Sequence, residues 1–308
     1  MLTLFLGAGF SKWAAGLPVA RELFDFAIQP WGSRDEKWLE KVKSAKEKWD
    51  YVYPRGLAER FIADALRSSR DIKRAVLWYI GRRLSEPFIW QKLHAWRRRR
   101  HTYAIDDSRR PRLQEEFLTR FIYPWRTAGI ITTNYDLLVE YALGPRGFHY
   151  GVKGQRVFGR AYPVSQWRNP LLLTGDVPLA KLHGSVSWDE SRFYNDGRRG
   201  ITGKALIIAP TPEKKPPSNP MLRETWNLAA QILGKSKRIL VFGFAFNPYD
   251  EAVLNLLQIN GTNIESALLI NISGDKSRAQ ELWPQAKVEV CLPPPEGSEV
   301  INEWLRSF

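Results

Sequence analysis

The sequence predicts an α/β fold: a mainly parallel, doubly wound sheet with helices on both faces, plus a helical insertion. Three observations point there. After residue 125, short apolar runs alternate with stretches at helical spacing, the pattern of βα units feeding a parallel sheet. Several of these runs pass directly into short loops carrying Gly, Asn or His, the kind that leave a parallel strand at its carboxyl end. Between residues 31 and 124, apolar residues recur only at helical spacing. The expected division is 1–30 with 125–308 as the α/β domain, and 31–124 as the insertion.

Taken in order, the apolar run at 2–6 reads as a buried first strand that ends at Gly7. Leu17-Pro18 is expected to open a helix through Leu23, Phe24 and Ala27, since proline suits a first helical turn. In the insertion, Leu39, Val42 and Ala45, then Phe61, Ile62, Ala65 and Leu66, then Val76, Leu77 and Ile80 mark successive helices. Strand character returns at 129–132, and 137–143 reads as helix. Residues 144–180, rich in Gly, Pro and aromatics, are expected to be irregular or to form a small hairpin. A short strand at 180–182 and an apolar strand at 205–208 follow, the second ended by Pro210 and Pro212 in an extended proline-rich loop. Helix, strand, helix, strand, helix and strand then succeed one another at 221–233, 238–242, 251–258, 268–272, 276–283 and 287–291.

With 308 residues, 44% of them hydrophobic, the chain can bury one large core with an insertion, or two smaller ones. Its 13 tryptophans suggest that some serve an interface, where aromatic side chains are enriched. A net charge of +14 favours anionic partners: nucleic acid, a membrane surface or a phosphorylated ligand. The charge is densest at Arg97, Arg98, Arg99 and Arg100, followed by Arg109, Arg110 and Arg112, so the 97–112 stretch is the candidate nucleic-acid contact. A solvated helix end and loop is the plainer reading of the same run. The single cysteine, Cys291, excludes an internal disulfide and a cysteine-based zinc knuckle, and fits a reducing compartment. The apolar amino end lacks a basic n-region and reads as a strand, not a signal peptide. No stretch approaches the roughly 20 apolar residues that span a bilayer, so a cytoplasmic location without membrane contact is expected.

The chemistry sits in the loops. In Gly7-Ala8-Gly9-Phe10-Ser11, the missing side chains let backbone amides approach a pyrophosphate at the start of a helix, although the same pattern serves a tight turn. Ser11 suits a phosphate or a helix cap. In Thr132-Thr133-Asn134-Tyr135-Asp136, the Asn134 amide both donates and accepts, as a ribose hydroxyl or a reacting water requires. An Asx turn is the plain alternative, and Asp136 stabilises a helix start in any case. In Lys181-Leu182-His183-Gly184-Ser185, an imidazole at a strand end suits a general base, while a structural histidine is the alternative. Gly243-Phe244-Ala245-Phe246-Asn247-Pro248-Tyr249-Asp250 reads as a further phosphate or ribose loop, or as turn chemistry, and Asn271 as a ribose contact or a strand end. Loops at strand carboxyl ends converge, so a nucleotide site is the first expectation.

In identity and order, Gly-Ala-Gly-x-Ser, Thr-x-Asn-x-Asp, Leu-His-Gly-Ser, the late glycine loop and Ile270-Asn271 resemble the SIR2 family, over residues 1–30 and 125–290. The resemblance implies a Rossmann-like domain that takes NAD as substrate and cleaves its nicotinamide–ribose bond. It assigns orientation of the ribose and the attacking group to Asn134, and the base to His183. Gly7, Ala8, Gly9 and Ser11 would hold the pyrophosphate, with Asp136 in the same cofactor-binding group, and Gly243 and Asn271 would contact the phosphate and adenosine side. Protein-deacylating sirtuins add a four-cysteine zinc module that a chain with one cysteine cannot build, so no metal is expected. Gly16-Leu17-Pro18-Val19-Ala20-Arg21 also stands where sirtuins carry Gly-Ile-Pro-Asp-Phe-Arg. With these departures the chain looks like the SIR2-like NAD hydrolases of bacterial defence against phage. Such an enzyme releases nicotinamide and ADP-ribose, with about 10²–10⁴-fold coming from proton transfer.

Unrestrained hydrolysis would drain a cell of NAD, so the resemblance implies a homo-oligomer and a separate activating or sensing protein, such as an ATPase translocase or an Argonaute. The alternatives are an NAD-dependent protein deacylase, a non-catalytic NAD or ADP-ribose binding module, and a DNA-binding subunit using the basic stretch. Nuclease chemistry would need clustered carboxylates for Mg²⁺. Asp106-Asp107 and Glu115-Glu116 are the nearest approach and read as surface charges.

Overall fold

Leu2–Leu6 forms strand β1, and all five residues are buried, as expected of a strand covered on both faces. In the computed structural model the described residues are 1–30, 32–85, 90–93, 102–105, 113–122, 126–143, 147–151, 157–158, 177–189, 193–194, 202–209, 217–271 and 276–307. The arginines at 97–100, 109, 110 and 112, Asp106-Asp107 and the prolines at 210 and 212 lie outside them. The other strands are β2 (Trp90–Leu93), β3 (Thr102–Ile105), β4 (Thr127–Thr132), β5 (Phe148–His149), β6 (Val157–Phe158), β7 (Val177–Lys181), β8 (Gly184–Ser185), β9 (Phe193–Tyr194), β10 (Leu206–Ile207), β11 (Arg238–Phe242), β12 (Ser266–Ile270) and β13 (Lys287–Cys291). The helices are α1 (Ala8–Ala15), α2 (Ser33–Val52), α3 (Ala58–Arg67), α4 (Arg70–Ser85), α5 (Leu113–Thr119), α6 (Leu138–Leu143), α7 (Pro220–Gly234), α8 (Glu251–Asn260), α9 (Lys276–Leu282) and α10 (Ser298–Arg306).

Seven strands form one parallel sheet in the order β13-β12-β11-β1-β4-β7-β5. From β1 the chain winds outward through β4 and β7, then returns to β11 on the other side of β1 and winds outward again. The reversal therefore falls between β1 and β11, the crevice where open α/β sheets take ligands. One register row crosses six strands: Lys181, Thr132, Leu6, Phe242, Ile270 and Cys291 lie side by side.

Alternation along the strands supplies two cores. Leu4, Leu6, Leu240 and Phe242 pack with Phe10, Phe117, Val139 and Trp304 on one face. Phe5, Ile239 and Val241 pack with Trp226, Leu233, Leu254 and Trp283 on the other. This is the period of two expected of a strand with helices on both sides. A third core, built on Phe61, Val76, Trp78 and Tyr79 of α3 and α4, joins Leu138, Val186 and Ile207 beside the carboxyl end of β7.

Several expectations are corrected. No α-helix opens at Leu17-Pro18; α1 starts at Ala8 and stops at Ala15, with Gly16 left-handed at φ +66° and only a 3₁₀ turn at Ala20–Glu22. A left-handed glycine followed by proline closes a helix, because proline cannot extend it. The run at 205–208 supplies only the two-residue β10, paired antiparallel with β8 outside the main sheet. Within the 144–180 stretch, of which 144–146, 152–156 and 159–176 lie outside the described residues, β5 adds in parallel to the edge at β7. Within 31–124, β2 and β3 form an antiparallel pair where only helices were expected. Helix α10, with Ile301 and Trp304 buried, was not anticipated. Among the described residues no helix is long and apolar enough to cross a membrane.

Candidate functional site

The expected site residues leave the sheet just past the shared register row. Gly7 follows Leu6, Gly243 follows Phe242, Asn271 follows Ile270, and Asn134 and His183 stand two residues beyond Thr132 and Lys181. The loops are stitched together. The Gly7 amide donates to Phe242 O (2.9 Å), Gly9 to Gly243 O (2.9 Å), Gly243 to Ile270 O (2.9 Å), and Leu182 to Thr132 O (2.9 Å). The Val186 amide donates to Tyr135 O (3.0 Å), tying the asparagine loop to the histidine loop.

Gly7, Gly9 and Gly243 meet backbone to backbone at the reversal between β1 and β11. A Cβ on Gly9 would stand 2.7 Å from Gly243 Cα, and one on Gly243 would stand 2.3 Å from Phe10 N. Gly243 also has φ +66°, where a side chain is strained in its own right. Here the glycines are required by the approach of two loops. Ala8, between them, is exposed.

Behind this junction runs a buried polar chain. Asn134 Nδ2 donates to Gly7 O and to Ser11 Oγ, both at 2.8 Å, and Ser11 Oγ donates to Asp136 Oδ2 at 2.6 Å. Both amide hydrogens are thus engaged, which fixes the amide orientation and leaves Asn134 Oδ1 as an acceptor without a protein partner among the described residues. Asp136 Oδ1 accepts the Leu138 amide at 3.0 Å and so also caps α6. Lys181 Nζ donates to the Asp136 carbonyl and lies 2.9 Å from Glu140 Oε1, with Tyr150 OH donating to the same oxygen at 3.0 Å. Lys181 and Glu140 side chains are 1% and 3% exposed, so the pair is out of reach of solvent. Burial, and then the Glu140 charge, hold the Tyr150 phenol well above its usual value, so it stays a neutral donor.

His183 is 5% exposed. Its Nε2 lies 3.2 Å from Asp250 Oδ1, short of the alignment of a hydrogen bond, and that oxygen has no hydrogen-bond donor among the described residues. Asp250 ends the 3₁₀ turn Pro248–Asp250, which Asn247 caps by accepting the Tyr249 amide at 3.0 Å. The turn presents a carboxylate to the imidazole from the late glycine loop. Beside them, Tyr135 OH donates to Ile208 O at 2.8 Å, and its phenol is held above its ordinary value by burial first and Asp250 second. Asn271 Nδ2 donates to Phe244 O at 3.3 Å, so it braces the late loop.

The structure therefore brings Gly7, Ala8, Gly9, Ser11, Asn134, Asp136, Gly243 and Asn271 to one edge of the sheet, with His183 on the neighbouring loop. Sequence reasoning missed Asp250 as the partner of His183, although it closes the late motif. It also missed the Lys181–Glu140 pair, signalled by one carboxylate in the apolar helix LVEYAL. Among the described residues no cluster of His, Cys, Asp and Glu is placed to hold a metal ion.

The family model for the SIR2-like domain matches residues 128–290, just over half of the 308-residue chain. No curated protein matches it. Two solved structures align over 99% of the chain. One is a Sir2 homologue with three substitutions in complex with 2′-O-acetyl ADP-ribose, at 17% identity, 90% of that chain and a TM-score of 0.42. The other is a complex of a Sir2 homologue with NAD, at 16% identity, 88% of that chain and a TM-score of 0.40. Seven parallel strands flanked by helices, with its motifs at one carboxyl edge, place the chain in the SIR2-like domain family.

Proposed function

We propose that the protein hydrolyses NAD at the nicotinamide–ribose bond. The observation that carries this reading is the arrangement of Asn134: its donors are locked by Gly7 O and Ser11 Oγ, so its Oδ1 is held out as a fixed acceptor beside the reversal crevice. A fixed acceptor suits a ribose hydroxyl or a water, and needs no reorganisation when the charge changes.

Nicotinamide leaves as a neutral molecule when the C1′–N bond breaks, and the ribose becomes oxocarbenium-like. Water supplies the new C1′–O bond, and its proton passes to His183, giving nicotinamide, ADP-ribose and a proton. Asp250, 3.2 Å from Nε2, stabilises the imidazolium that forms and holds the ring in place. The buried Ser11–Asp136 bond and the Lys181 contact to the Asp136 carbonyl keep the asparagine loop rigid behind the reaction.

Such an activity must be restrained, so the reading extends to a regulated effector of defence against phage, held idle by self-assembly or released by a separate sensing protein. The test is NAD turnover by the purified protein, with nicotinamide and ADP-ribose separated, beside Asn134→Ala, His183→Ala and Asp250→Asn. Each variant is expected to lose at least tenfold in turnover while still binding NAD. Turnover that survives in Asn134→Ala and His183→Ala together would remove the assignment, and absence of NAD binding by the wild type would remove the NAD reading.

A further inference from the structure

His183 and Asp250 also line a cavity of about 1010 Å³, to which the end of the late loop contributes Tyr249 and Asp250, while Gly7, Gly9, Ser11, Asn134 and Gly243 do not line it. Its walls come from α3, α4, the 203–209 segment, the start of α7 and the turn at Tyr249. Arg67, Arg70, Lys73, Arg74 and Lys204 line it, against the carboxylates of Asp189 and Asp250. A further carboxylate on α4, Asp71, is engaged elsewhere, 3.0 Å from Lys41. Arg74 sits with its guanidinium 5.8 Å from the Trp38 ring centre, and its Nε is buried with no hydrogen-bond partner among the described residues. Gly203 presses on the same residue, since a Cβ there would stand 2.4 Å from Arg74 O, and this seats Lys204 next to the arginine. The remaining lining includes Leu77, Ile207, Leu222, Trp226 and Val253, an apolar surface suited to a flat ring.

We infer that this cavity is a second ligand site, taking a phosphate-bearing small molecule of nucleotide size. Guanidinium and ammonium groups pair with phosphate oxygens, and a mixed apolar and polar lining of this volume matches small-molecule sites. Its occupant touches His183 and Asp250 without contact to Gly7, Ser11 or Asn134, so it stands where it can admit or exclude the attacking water. That consequence rests on the hydrolase reading, whereas the binding does not.

The test uses inorganic tripolyphosphate as probe, followed by calorimetry on the full chain. Wild type is expected to bind it with one-to-one stoichiometry, Arg70→Glu with Lys73→Glu to weaken it at least tenfold, and Asn134→Ala to leave it unchanged. NAD binding should persist in the double reversal. Lys235→Glu with Lys276→Glu, at exposed positions away from the cavity, applies the same change in net charge and should leave the probe's affinity intact. The inference is overturned if tripolyphosphate fails to bind, if both reversals weaken it equally, or if NAD affinity falls in step with it. A chain that binds the probe at this site yet never consumes NAD keeps the inference and loses the hydrolase reading.

Discussion

Replacing Lys181 by Met should strand a charge in the interior. Lys181 and Glu140 are 2.9 Å apart and 1% and 3% exposed, so at an effective dielectric of about 20 their attraction is roughly 6 kcal/mol. Desolvation of both groups offsets most of that, and the intact pair contributes little net stability. Removing one partner is different, because Glu140 would keep its desolvation cost with only the Tyr150 hydroxyl 3.0 Å away to compensate. The expected loss for Lys181→Met is about 3–5 kcal/mol. By thermal melting this appears as a drop on the order of 5–15 °C in midpoint. Adding Glu140→Gln removes the stranded charge and should recover at least half of the loss. It cannot restore the Lys181 contact to the Asp136 carbonyl, so NAD turnover should stay reduced in the double variant while stability returns. A loss below about 1 kcal/mol in the single variant, or no recovery in the double, would refute the buried-pair argument.

Two further outcomes follow from the same geometry. Gly243→Ala places a Cβ 2.3 Å from Phe10 N and 2.5 Å from Gly9 Cα in a left-handed conformation that alone costs about 1–2 kcal/mol, so stability and NAD binding should fall together; a stable variant that binds NAD normally contradicts the loop junction. Burial, then Glu289, pushes the Cys291 thiol up to about 11, so at pH 8 it stays protonated and should react with iodoacetamide far more slowly in the folded than in the unfolded chain; equal rates would contradict its placement.

The legible parts of the fold are those where one residue class runs uninterrupted. Strands β11 and β13 appear with the bounds the sequence suggested: β11 is a central, continuous apolar run that stops where the late loop begins, and β13, at the sheet edge, shows the alternation of a half-covered strand. Two-residue strands such as β5 and β10 carry no period to detect, and their pairing depends on neighbours distant in sequence. Helix α1 was misplaced because Pro18 suits both a helix start and the stretch after a helix end. The left-handed Gly16 decides between them, and the chain leaves it into the buried Leu17. At the site, Gly, Asn and His were legible because their residue types are unusual just after a strand. Asp250 was not, since an aspartate ending Asn-Pro-Tyr-Asp reads equally well as a turn, and only the fold sets it beside His183.

The glycine motif carries a structural load beside the one its sequence suggests. Donors that a bare reading would give to a pyrophosphate are already engaged: the Gly7 amide on Phe242 O at the end of β11, the Gly9 amide on Gly243 O, the Phe10 amide on Gly7 O, and the Ser11 hydroxyl on Asp136. Asn134 turns both of its amide hydrogens inward as well. Along these loops the exposed Ala8 and the acceptor Asn134 Oδ1 remain for a ligand. An acceptor repels phosphate and attracts a hydroxyl, so under the proposed function this edge would select the sugar, where the bond is cleaved. The glycines act one step earlier, by letting β1 and β11 bring their loops into contact at the reversal of the sheet. Without that contact the Asn134 carboxamide would lose the Gly7 carbonyl that fixes it, and the acceptor would no longer point one way.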